Sequence, residues 1–143
     1  MSGWQLSGRV QTVLGPRAPE DLGITMMHEH LLVDLRRVYA PPEDPKDLPL
    51  ATAPLSLDNL NWAFLNWARN RDNLLLDDID LAVKEAGFFK AAGGGTLVDV
   101  TTAEFGRNPS ALRRISERTG LNIVMGCGHY YAFFHPQIGR AHV

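Results

Sequence analysis

The chain has a single cysteine, Cys127, among its 143 residues. No internal disulfide is therefore open to it, and any metal site must be built from nitrogen and oxygen ligands. It has no apolar run near the roughly 20 residues that a membrane-spanning helix needs. The stretch Met1-Ser2-Gly3-Trp4-Gln5-Leu6-Ser7-Gly8 contains neither the cationic nor the apolar segment of a secretory signal. Charge of one sign is also missing: 14 Lys and Arg stand against 16 Asp and Glu, for a net charge of -2. Without a basic stripe or a run of like charges, the sequence argues against nucleic-acid and membrane-surface partners. These absences predict a cytoplasmic protein with no nucleic-acid or membrane partner.

What is present has the composition of an ordinary globular domain, 45% hydrophobic and 21% charged. Arg9 to Leu14 is β-prone and Gly15-Pro16 reads as a turn, which predicts a short N-terminal hairpin. Ile24-Thr25-Met26-Met27 predicts a strand running into His28-Glu29-His30. Five prolines between Tyr39 and Pro54 predict a loop. Leu55 to Asn66 fits a helix capped by Ser56, with Leu57, Leu60 and Phe64 on one face, and core packing is the default for Trp62, Phe64 and Trp67. Asp77 to Ala92 has helical apolar spacing, an acidic first turn and a Gly93-Gly94-Gly95 stop. Thr96 to Val100 predicts a buried strand. Asn108 as N-cap, Pro109 behind it and Gly120 after the last turn bound a further helix, and Leu121 to Met125 a third core strand. This alternation is that of an α/β fold with parallel strands, and it suits either an open doubly wound sheet or the beginning of a (β/α)8 barrel.

Residues two apart on a strand share a face, so His28 and His30 project together and Glu29 points away. Two imidazoles so placed can share a divalent ion, at about 2.0 to 2.1 Å for zinc. A short His-x-His also arises where one histidine merely caps a strand and the other faces solvent.

The segment Gly23-Ile24-Thr25-Met26-Met27-His28-Glu29-His30-Leu31-Leu32-Val33-Asp34 resembles the first-strand signature of the phosphotriesterase family of the amidohydrolase superfamily. Gly94 to Thr102, with Gly106-Arg107 behind it, resembles the family's second strand and loop, and Gly120 to Gly126 its third strand. The resemblance implies the N-terminal portion of a (β/α)8 barrel, about three of eight βα units, preceded by a short β-hairpin. It implies a hydrolase in which hydroxide generated at a metal attacks a phosphotriester, lactone or related ester, with two divalent ions, usually zinc. His28 and His30 would ligate the more buried ion, and the remaining ligands and the acid-base residue would come from later strands. No catalytic residue is expected within residues 1–143. These residues would hold at most one weakly bound ion and would be inactive by themselves. Tyr130 would line the pocket for a small-molecule ester, its alternative being a rim aromatic packed on neighbours, and a homodimer is compatible with the intact enzyme. Cys127 is expected to be a small buried thiol, Asp99 a structural hydrogen-bonding group, and Arg107 with Asn108 the brace of the loop and helix start. His129 and His135 are expected to be non-ligands.

The resemblance assigns residues 1–136 to the partial barrel. Gln137 to Val143 departs from the pattern, and its codons allow CAG-ATC-GGA-AGA-GCA-CAC-GTC, the start of a common sequencing adapter. Residues 137–143 are accordingly expected to be a non-native tail. The rival reading is a small non-catalytic α/β domain in which the histidine pair holds a structural metal or none.

Overall fold

Local chemistry sets most of the element boundaries. The computed structural model describes residues 8–130, so the expectations for His135 and for residues 137–143 lie outside the described residues. Strands β1 (Val10–Thr12) and β2 (Gly15–Arg17) form the anticipated antiparallel hairpin. Its turn is Val13-Leu14 rather than Gly15-Pro16. The Thr12 hydroxyl closes that turn by donating to the Gly15 carbonyl at 2.7 Å, which leaves Gly15 and Pro16 to begin the return strand.

Strand β3 (Ile24–Glu29) carries the histidine motif at its end, and a two-residue strand β4 (Val33–Asp34) follows. The proline-rich stretch is not wholly loop, because a 3-10 turn over Pro45–Asp47 leads into helix α1 (Leu48–Thr52). Pro45 and Pro49 occupy the first turns of these elements, where the missing N–H would have no intrahelical partner. Helix α2 (Leu60–Leu65) starts later than Ser56 suggests. The Asn59 carboxamide accepts from the Ser56 N–H and donates to the Pro54 carbonyl, making a turn of the residues expected to open the helix. The α2 face is not core: Leu57 is 91% exposed and Phe64 79%, and Trp67 is also exposed, while Ala63 is the residue turned inward. Asn70, fully buried, binds the Leu50 and Ala53 carbonyls and the Asn73 N–H, so it fastens this region by a satisfied amide rather than by apolar packing.

Strand β5 (Leu75–Leu76) pairs antiparallel with β4. Helix α3 (Ile79–Ala91) is capped by the Asp78 carboxylate, which accepts from the Asp80 and Leu81 N–H groups. Strand β6 (Gly94–Asp99) begins two residues before Thr96. Helix α4 (Pro109–Thr119) has the predicted Asn108 cap and ends at Gly120, whose φ of +66° is left-handed. Strand β7 (Asn122–Met125) completes a parallel sheet of order β3-β6-β7.

The core fills the space between this sheet and the two long helices. Leu97 and Ile123 face Ala82 and Ala86 of α3 and Ala111, Leu112 and Ile115 of α4, with Leu32 and Leu121 closing the ends. The alanines permit close approach, and each fully buried Leu or Ile contributes about 1.5–3 kcal/mol. Among the described residues β3 pairs with β6 alone, and Ile24 and Met27 are 65% and 70% exposed. A groove of about 430 Å³ runs between β3 and α3, with Met26, Leu81, Phe89 and Leu97 among its lining residues.

The glycines at the start of β6 are needed for space. A Cβ on Gly95 would collide with the Leu22 carbonyl, which belongs to backbone and cannot swing aside, whereas a Cβ on Gly87 in α3 meets nothing within 4 Å. Gly95→Ala is expected to lower stability by the roughly 1–3 kcal/mol typical of overpacking. Gly87→Ala is expected to raise it by about 0.5–1 kcal/mol. Urea titration of both variants checks the pair, and equal midpoints would contradict this packing.

Candidate functional site

The carboxyl ends of β3, β6 and β7 lie side by side, and the polar residues singled out in the sequence gather there. The His28 and His30 rings meet edge to face, with centroids 5.4 Å apart and planes at 76°. His28 is exposed and His30 half-buried. Between them, Glu29 turns its carboxylate back on the chain and accepts from the His30 N–H at 2.9 Å.

β6 supplies the support. Asp99 is fully buried, and one carboxylate oxygen accepts from the Leu31 N–H at 2.9 Å while the other accepts from the Thr101 N–H at 3.0 Å. It thus has the structural hydrogen-bonding role expected of it, tying the turn after the histidines to the end of the neighbouring strand. Thr101, also buried, meets His30 Nδ1 through its hydroxyl at 2.9 Å.

The loop after β7 is held at three points. Arg107 donates to the Gly126 carbonyl at 2.7 Å, which bears out its reading as a loop brace. Glu104 pairs with His129 at 2.5 Å. Phe105 meets the Tyr130 ring edge to face at 5.4 Å. Tyr130 is 55% exposed at the rim of the strand ends, with one side packed on an aromatic neighbour. Cys127 is exposed, not buried as expected, because it lies beyond the end of β7 at Met125.

Sequence reasoning misses Glu104 and Thr101. Glu104 lies 25 positions from His129 and Thr101 lies 71 from His30, so no local spacing could have signalled either contact. The groove between β3 and α3 is lined largely by apolar side chains, with Glu29 and His30 among its polar lining residues; Glu104, His129 and Tyr130 do not line it.

The donor set can be tested against a metal. Two imidazoles from one strand, with one ring already steadied through Nδ1, suit a divalent ion of the nitrogen-preferring kind. Among the described residues no cluster of three or more His, Cys, Asp or Glu side chains occurs. A catalytic zinc ordinarily takes three protein ligands. The residues present therefore fit part of such a site.

The phosphotriesterase family model matches residues 8–142. N-acetyltaurine hydrolase of Xenopus tropicalis is 42% identical over 137 residues, covering 95% of this chain and 39% of that protein. The crystal structure of a resiniferatoxin-binding protein from Rhodobacter sphaeroides superposes with a TM-score of 0.88 at 45% identity, over 92% of this chain and 37% of that one. The organophosphorus hydrolase of Deinococcus radiodurans superposes with a TM-score of 0.57 at 29% identity, over 88% of this chain and 30% of that one. The chain thus spans about two fifths of the length of the curated relative it matches. Its three parallel strands correspond to the first part of a (β/α)8 barrel.

The Glu104–His129 pair has a pH consequence. The hydrogen bond from His129 holds the buried Glu104 carboxyl at about 2, below its ordinary 4.5, against the opposing effect of burial. A folded value below the unfolded one means that this stabilisation is complete above about pH 4.5 and is lost as pH falls toward 2. In denaturant titrations from about pH 6 to about pH 2.5, Glu104→Gln is expected to flatten the acid loss of stability relative to wild type. Parallel curves would show that the carboxylate is unpaired in solution.

Proposed function

The chain belongs to the phosphotriesterase family, and from that premise we propose that it contributes the first-strand metal ligands, His28 and His30, to a metal-dependent hydrolase of small molecules. The observation that carries the reading is the facing pair of imidazoles at the carboxyl end of β3, the end at which barrel enzymes build their sites. A divalent ion there, zinc by its preference for imidazole, would acidify water toward neutral pH and polarise the bond under attack. The chain's own residues have the positioning roles: Asp99 and Thr101 fix the histidine strand, and Glu104, Phe105 and Arg107 hold Tyr130 where it can line the substrate rim. With two ligands among the described residues, the 143-residue chain by itself is proposed to bind one ion weakly and to be inactive.

For the substrate, the comparisons favour an amide over the ester expected from the sequence. The chain is 42% identical to N-acetyltaurine hydrolase and 29% identical to the organophosphorus hydrolase. We place N-acyl amines of the N-acetyltaurine kind first. Esters, meaning phosphotriesters or lactones, are the second reading, which the organophosphorus hydrolase superposition favours.

The test is made on the longest protein containing this chain that its gene encodes. His28→Ala and His30→Ala are each expected to remove most bound metal by elemental analysis. Both should lower hydrolysis of N-acetyltaurine by more than the roughly 10–100-fold that loss of a supporting residue costs. Full metal content in both variants would overturn the ligand assignment. Turnover of a phosphotriester or lactone but not of N-acetyltaurine would select the second reading.

A further inference from the structure

Thr101 has the position of a residue that decides which nitrogen of His30 is available. Its hydroxyl lies 2.9 Å from His30 Nδ1 and 3.2 Å from the Leu32 carbonyl. A hydroxyl has one proton to give, whereas a carbonyl can only accept. The Leu32 carbonyl belongs to a residue that is 7% exposed, and the Thr101 hydroxyl supplies its donor. A buried carbonyl left without one is unfavourable, so the hydroxyl proton goes to Leu32. The remaining lone pairs of the hydroxyl then face His30 Nδ1, and that contact is a hydrogen bond only if Nδ1 carries the ring proton. The other nitrogen, Nε2, is left with its lone pair exposed to a ligand.

Nor can Thr101 easily turn to an alternative. It is 1% exposed, and its own N–H is held by Asp99, whose second oxygen holds the Leu31 N–H beside His30. One carboxylate thereby locks the donor strand and the receiver strand in the same register. The Val100 N–H donates to the Glu29 carbonyl at 3.0 Å and reinforces it.

We propose that Thr101 is a positioning residue for the metal site, fixing His30 as the Nδ1–H tautomer so that Nε2 is presented to the ion. The proposal rests on the ligand reading above in its second half only, because the tautomer is a property of the metal-free chain.

The experiment separates the two. Long-range proton–nitrogen correlation spectra of the ¹⁵N-histidine-labelled, metal-free chain are recorded at about pH 8.5, above the ordinary imidazole range, with His30→Gln used to assign the resonance. Wild type is expected to show His30 with a protonated Nδ1 and an unprotonated Nε2. Thr101→Val, which keeps the shape and loses the hydroxyl, should shift the ring toward the Nε2–H form, and Thr101→Ser should retain the wild-type pattern. Titration with Zn²⁺ alone should then show about 10–100-fold weaker binding for Thr101→Val and near wild-type binding for Thr101→Ser. An Nε2–H tautomer of His30 in wild type overturns the proposal. A tautomer unchanged by Thr101→Val also overturns it. The expected tautomers without Zn²⁺ binding in wild type would uphold Thr101's control of the ring and remove the ligand reading instead.

Discussion

The Asp99 carboxylate is the constraint on which the rest of the strand-end geometry depends. It lies fully buried at the last position of β6, and each of its oxygens takes one backbone N–H, one from its own strand's exit and one from the turn after β3. A buried carboxylate is tolerable when such hydrogen bonds replace water. Here they join the two chain segments that carry His30 and Thr101. Were the two strand ends free to slide, the histidine rings and the hydroxyl could not hold a fixed separation.

The three strands contribute to the site in different ways. β3 provides the two imidazoles, β6 and its exit the polar groups that meet His30 and the turn after it, and the loop after β7 an aromatic rim. That rim is fixed from β6's side as well, since Glu104, Phe105 and Arg107 all follow β6 and reach across to Gly126, His129 and Tyr130. The β6 exit thus braces both the turn that carries His30 and the loop that carries Tyr130. The apolar core behind it, centred on Leu97, Ile115 and Ile123, keeps the sheet seated on α3 and α4.

Departures from the sequence reading have separate physical origins. Leu57 and Phe64 satisfy a helical spacing, but the neighbouring surface is closed by Asn59 and Asn70 through carbonyl contacts, so the apolar face has nothing to bury against among the described residues. The prolines of the 41–54 stretch suggested loop alone, yet Pro45 and Pro49 begin short helices because the first turn has no use for their missing N–H groups. Cys127 was expected inside and is exposed because the strand ends before it.

What the sequence by itself determined was a set of features governed by chemistry within about four residues. The Asp78 and Asn108 caps, the left-handed stop at Gly120, and the shared face of His28 and His30 follow from local hydrogen bonding and backbone geometry. The family blocks were legible for the same reason, being contiguous strings. Only the tertiary structure decided that Thr101 meets His30 and that Glu104 grips His129. Those contacts depend on the register of β3 against β6 and on the path of the loop after β7. Register is a collective result of core packing and of Asp99's two hydrogen bonds, and no local spacing in the sequence encodes it.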